Sequence, residues 1–127
     1  MSSSIYNEHT AWNVSNMMFG RVLDFAGDVG KELAVTDREH DWVRDLASKI
    51  ESFGTYSPDV SASELFPTPE QMDFWQAVLT EVASRIFRRE IGSQAEQTWQ
   101  VSTIWAAVDL ARVLDSSAQQ MRSGSAG

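Results

Sequence analysis

The chain has 127 residues, which suits one domain and leaves no comfortable room for two. Hydrophobic residues at 43% and charged residues at 22% are near globular averages, so a packed core is expected over most of the length. Ten Lys and Arg against eighteen Asp and Glu give a net charge of −8, which argues against direct nucleic-acid or anionic-membrane binding, and the lack of Cys excludes disulfides, Cys-ligated metals and thiol nucleophiles.

Met1 to Ser4 carries no basic region and no apolar run behind it, so the start does not read as a secretory signal. The first predicted helix falls within Ile5 to Ala34, with Trp12, Phe19, Val22, Leu23, Ala26 and Leu33 on one broad face. Gly27 and Gly30 weaken its last turns, each by up to ~1 kcal/mol relative to Ala, so a bend or an end is expected there. Asn13, Asn16, Gly20 and Gly27 read as a small polar strip on this segment, suited to close helix approach or a narrow ligand cleft.

Thr36-Asp37-Arg38-Glu39 is a capping box, in which a Thr side chain and a Glu three residues on satisfy each other's orphan N–H groups. It opens a second predicted helix, Asp37 to Phe53, with Val43, Leu46, Ala47, Ile50 and Phe53 on one stripe and Gly54 as its C-terminal cap. Asp37, Asp41 and Asp45 recur every four residues on the outer face, with Arg38 and Arg44 partly offsetting them. The bland reading of that ridge is a solvated face; the functional one is a docking ridge for a basic partner, with Trp42 beside it as an apolar anchor.

Gly54 to Thr68 is expected as one long proline-containing loop, in which Ser61 to Glu64 is read as the start of a single helical turn ending before Pro67. Thr68-Pro69-Glu70-Gln71 then opens a third predicted helix, reaching Ile91, with Met72, Trp75, Val78, Leu79, Val82 and Ile86 inward and Gly92 as its cap. Arg85, Arg88 and Arg89 form the one basic cluster and read as C-terminal cations paired with Glu81 and Glu90.

Ser93-Gln94-Ala95-Glu96 opens a fourth predicted helix, Gln94 to Met121. Trp99, Ala106, Leu110 and Val113 occupy one side of it, and Val101, Ile104, Trp105 and Val108 the other. Such a helix needs cover beyond its own bundle. Two sources stay open: the long loop, through Tyr56, Leu65 and Phe66, or a second copy of the chain. Trp12, Trp75 and Trp99 read as core, while Trp42 and Trp105 read as interface candidates. Asp109 and Arg112 read as a structural pair within this helix. Val101 to Leu114 is the most apolar stretch, at fourteen residues with two charges, short of the ~20 a membrane span needs.

No run alternates with period two for long enough to make a strand. The expected fold is therefore all-α, a four-helix antiparallel bundle over residues 1–122 with a disordered tail at 123–127. Enzyme signals are thin. His9 and His40 are the two histidines, and Asp37 with His40 gives half of a Glu-x-x-His-like metal pattern whose second copy is missing. No phosphate loop, nucleophile elbow, metal site or cofactor site is expected. The character of the chain points to a non-enzymatic, cytoplasmic interaction module. The form expected is a small acidic inhibitor, of the immunity-protein or phage-inhibitor type, that blocks a basic or nucleic-acid-binding partner through Asp37, Asp41, Asp45, Trp42 and Trp105. The alternative is an accessory subunit that oligomerises through Val101, Ile104, Trp105 and Val108. A ligand- or metal-binding bundle enzyme comes third.

Overall fold

The computed structural model describes residues 2–54, 57–93 and 96–126, with only the backbone at 125 and 126. The amino-terminal residues correct the all-α expectation. They form strands β1 (Ser2–Tyr6) and β2 (Ala11–Ser15), paired antiparallel with Ile5 opposite Trp12 and Ser3 opposite Val14. A third strand, β3 (Asp59–Ser61), adds to the far side of β1 in parallel, giving the order β2-β1-β3. The result is a three-stranded mixed sheet with helices, an α+β arrangement rather than a four-helix bundle.

The hairpin follows from side-chain alternation and one turn residue. Ser3, Ile5 and Trp12 are buried and Val14 half-buried, while Ala11, Asn13 and Ser15 stay exposed. At the turn, the Asn7 Oδ1 accepts the N–H groups of His9 at 2.8 Å and Thr10 at 2.9 Å, an Asx turn. The period-two signal is short, with two inward positions per strand. Trp12 also lies seven residues before Phe19, so a helical stripe passes through it unbroken.

Helix α1 (Asn16–Leu33) starts after Ser15, whose Oγ accepts the Met18 N–H at 3.1 Å. It runs past Gly27 and Gly30 without ending. Gly30 has a packing reason: a Cβ there would come within 3.1 Å of Trp75, so α1 lies close against the helix that carries that ring. Helix α2 (Asp37–Phe53) has the expected limits. Its capping box is complete, with Glu39 N–H donating to Thr36 Oγ1 at 3.1 Å and Thr36 N–H to Glu39 Oε1 at 3.0 Å. Gly54 ends it with a φ of +58°.

The segment expected as one loop contains β3 and a single turn, α3 (Ala62–Leu65), after which Phe66 is buried 6.2 Å from the Trp75 ring. Helix α4 (Pro69–Phe87) has Pro69 at its start and Thr68 as its cap, accepting the Gln71 N–H at 3.2 Å. It stops short of Ile91. Glu90 N–H donates to Arg85 O at 2.8 Å and Arg89 N–H to Ile86 O at 3.0 Å, a Schellman motif with Arg89 at φ +61° in the place Gly usually takes. Gly92 is not the cap; it lies under Trp99, where a Cβ would come within 2.7 Å of the ring.

Helix α5 (Gln97–Ala126) returns along α4, and Arg122 near its end reaches Asp73 near the start of α4 at 2.5 Å. The described helix begins after Glu96, whose C=O accepts the Gln100 N–H at 3.0 Å. The expected cap at Ser93 is thus displaced; Gln94 and Ala95 lie outside the described residues. Thr103, Ala107, Leu110, Leu114 and Ala118 make a buried stripe at helical spacing. The hairpin supplies part of the extra cover for α5: Trp12 Nε1 donates to Ala106 O at 2.9 Å and Asn7 Nδ2 to Ser117 Oγ at 2.8 Å. From the long loop, Leu65 and Phe66 are buried and α3 touches α5, whereas Tyr56 lies outside the described residues. No helix among the described residues is long and apolar enough to cross a membrane.

Candidate protein-interaction surfaces

The structure splits the residues expected to bind a partner between two surfaces. On α2, Asp41 is ion-paired with Arg44 and Asp45 with Lys49 at 2.9 Å, while Asp37 occupies the first helical position. Trp42 is half-buried, edge-on to Phe74 with ring centres 5.7 Å apart, and the Arg38 guanidinium stands 5.0 Å from its own ring centre. Trp105 belongs to α5 and stands 57% exposed, with Val101 at 46%, whereas Ile104 and Val108 pack partly against the core.

Other sequence readings change in context. Asp109 and Arg112 do pair, at 3.4 Å, but on the surface. The polar strip does not form: Asn13 is on β2, while Asn16 accepts from Ser3 Oγ at 2.5 Å and donates to Ser57 Oγ at 2.8 Å. The Arg cluster ties helices together. Arg85 pairs with Glu32 of α1 and, at 3.0 Å, with Glu81; Arg88 pairs with Glu81 at 3.3 Å and Glu90 at 2.8 Å. The hydrogen bond from Arg85 is the main reason that the Glu81 carboxyl is held below its ordinary pKa. Trp99 is only half-buried, its ring edge-on to Phe25 at 5.9 Å and covered by Arg21 at 4.3 Å. Around His40, as elsewhere among the described residues, no three His, Asp or Glu side chains gather as metal ligands.

A cleft between α1 and α2, of about 260 Å³, is the feature that sequence reasoning missed. Leu23, Val43, Leu46 and Ile50 make its apolar floor, and Asp24, Asp28, Lys31 and Glu51 stand around it. Asp24, Asp28 and Lys31 are spaced four and three apart, so they line one face of α1. None of the three acids is in an ion pair among the described residues. Gly27, between the two Asp residues, leaves the wall low, since a Cβ there would meet nothing within 4 Å. The repeat of Asp at positions 24 and 28 was visible in the sequence; the neighbouring floor from α2 was not.

A second groove, of about 930 Å³, runs between β2 and α5, with Asn13 and Met18 on one wall and Trp105 on the other. Among the described residues the α+β fold thus carries an acid-rimmed cleft and a groove flanked by a strand edge. The chain matches no family model, no curated protein and no solved structure.

Proposed function

We propose that the protein is a cytoplasmic, non-enzymatic interaction module that binds and blocks a basic partner, seating an amphipathic basic helix in the α1–α2 cleft. The observation that carries this reading is the pairing of an apolar floor with three unpaired acids and a single Lys on the rim. An amphipathic helix lays its apolar face into such a groove. Its Lys and Arg side chains then meet Asp24, Asp28 and Glu51, which speeds encounter and selects against acidic partners. The Asp37–Asp41–Asp45 ridge on the same helix adds to the long-range field, although its ion pairs leave less charge to offer.

The test uses a helical Leu–Lys peptide as the probe and a Leu–Glu peptide of the same pattern as control, with amide shifts of the protein read by NMR. Binding of the Lys peptide should move the amides around Asp24, Asp28, Ile50 and Glu51, and should weaken with salt. Equal binding of the Glu peptide, or shifts confined to other surfaces, would refute the reading.

A further inference from the structure

The β2 edge of the sheet offers backbone groups that nothing among the described residues satisfies. Asn7 N–H donates to Thr10 O at 2.9 Å, which sets the phase of the hairpin ladder. Ile5 with Trp12 and Ser3 with Val14 are then the hydrogen-bonded pairs. Ala11, Asn13 and Ser15 therefore aim their N–H groups away from β1. The same phase explains the bond on the other side of β1, from Ser4 N–H to Pro58 O at 2.9 Å. Ala11 and Asn13 have no hydrogen-bond partner for these groups among the described residues.

The two edges of the sheet differ in protection. β3 has three residues, follows Pro58 and carries Asp59, all features that discourage a further strand. β2 has five residues with no charge, no Pro and no bulge in its register. Helix α5 runs beside it in the opposite direction, since Asn7 reaches Ser117 while Trp12 reaches Ala106. That places the exposed Trp105 level with Trp12, across the groove. The ionisable residues lining this groove are Asp109 and Arg112, which neutralise each other, whereas the whole chain carries −8. A second acidic copy meets least repulsion on such a face.

We infer that β2 pairs antiparallel with β2 of a second copy of the chain, about a two-fold axis at Asn13. Asn13 then bonds Asn13 of the second copy, and Ala11 faces Ser15. The contact is isologous, satisfies the outward groups of both copies together and closes at a dimer. The two sheets become continuous, both α5 helices lie on one face of it, and each Trp105 is brought toward the axis and covered. This face is separate from the α1–α2 cleft, so the inference stands or falls independently of the partner proposed there.

Sedimentation velocity across micromolar concentrations, with hydrogen exchange on the same samples, tests it. The wild type should be a dimer whose Asn13 amide becomes protected as concentration rises, while Trp12 and Val14 amides are protected throughout. Asn13→Pro removes an outward N–H and no bond to β1, and should raise the dissociation constant about tenfold or more with an unchanged circular dichroism spectrum. Trp105→Asp should also weaken the dimer. A wild type that stays monomeric overturns the inference, including the case in which a strand of another protein uses the edge. A dimer whose Asn13 amide exchanges freely overturns it too, because its contact then lies elsewhere. The exchange measurement uses the wild type and holds even if a variant fails to fold.

Discussion

The outer ridge of α2 and the rim of the α1–α2 cleft each carry three acids, yet those acids are free to do different things. On the ridge, Asp41 and Asp45 have bases of their own helix three and four residues away, and Asp37 faces the positive end of the helix. On the rim, Asp24, Asp28 and Glu51 have no ion pair among the described residues and stand beside apolar side chains. Exposed pairs such as those on the ridge contribute about 0–1 kcal/mol to stability, so their main effect is to neutralise the surface. Counting acids in a sequence measures charge. The phase of neighbouring bases decides how much of it a partner can meet.

Both surfaces rest on one frame, and the largest expected effect comes from removing its centre. Trp75 is buried, lies against Gly30 of α1 and is edge-on to Phe74, which in turn packs on Trp42 of α2. Trp75→Ala should cost about 3–5 kcal/mol in urea unfolding. A loss below about 1 kcal/mol would show that the two surfaces do not share this support.

The two glycines of α1 separate core from cleft by a smaller margin. Gly30→Ala pushes a methyl group toward the Trp75 ring and Val43 and should cost about 1–3 kcal/mol. Gly27→Ala, on the open cleft wall, should instead stabilise by about 0.5–1 kcal/mol. Opposite signs in parallel thermal melts sharpen the contrast between buried and open faces; equal signs would break it.

Glu39 is an acid of α2 whose charge serves the backbone. Its carboxylate accepts N–H groups of Thr36 at 3.0 Å and Val35 at 3.1 Å, the Thr36 bond being the larger cause of a pKa below the ordinary value. The stability it adds is therefore present above the unfolded pKa of about 4.3 and is lost as pH falls through the lower folded-state value. Glu39→Gln should flatten that part of the acid decline in melting temperature. A variant whose decline matches the wild type would leave the capping charge without a role. This effect is the smallest of the set, since the group is exposed.

What the sequence disclosed, and what it concealed, follows from how local each signal is. Helix α2 was legible to both ends because its stripe, its Thr36 box and Gly54 all act within a few residues. The Thr68 cap with Pro69, and the short turn after Ser61, were legible for the same reason. The hairpin was not, because three of the five residues in β1 are Ser and Trp12 satisfies a helical spacing with Phe19 as well as an alternation with Val14. The end of α4 was concealed by Arg89, which takes a left-handed conformation that glycine normally signals. On α5, Trp105 was legible as lying off the inward face of the helix, and it is exposed. The cleft depends on α1 and α2 standing side by side, and no single helix contains that information.

The binding proposed at the α1–α2 cleft rests on available charge rather than total charge. The direct measurement is a calorimetric titration of the Leu–Lys peptide into the wild type, Asp24→Lys/Asp28→Lys and Asp41→Lys/Asp45→Lys, at two salt concentrations. Both variants change the net charge equally, so a long-range field alone would affect them alike. Reversal on the cleft rim should weaken binding about tenfold or more, and reversal on the ridge only about twofold. Equal losses from the two variants, or a larger loss from the ridge, would contradict the account.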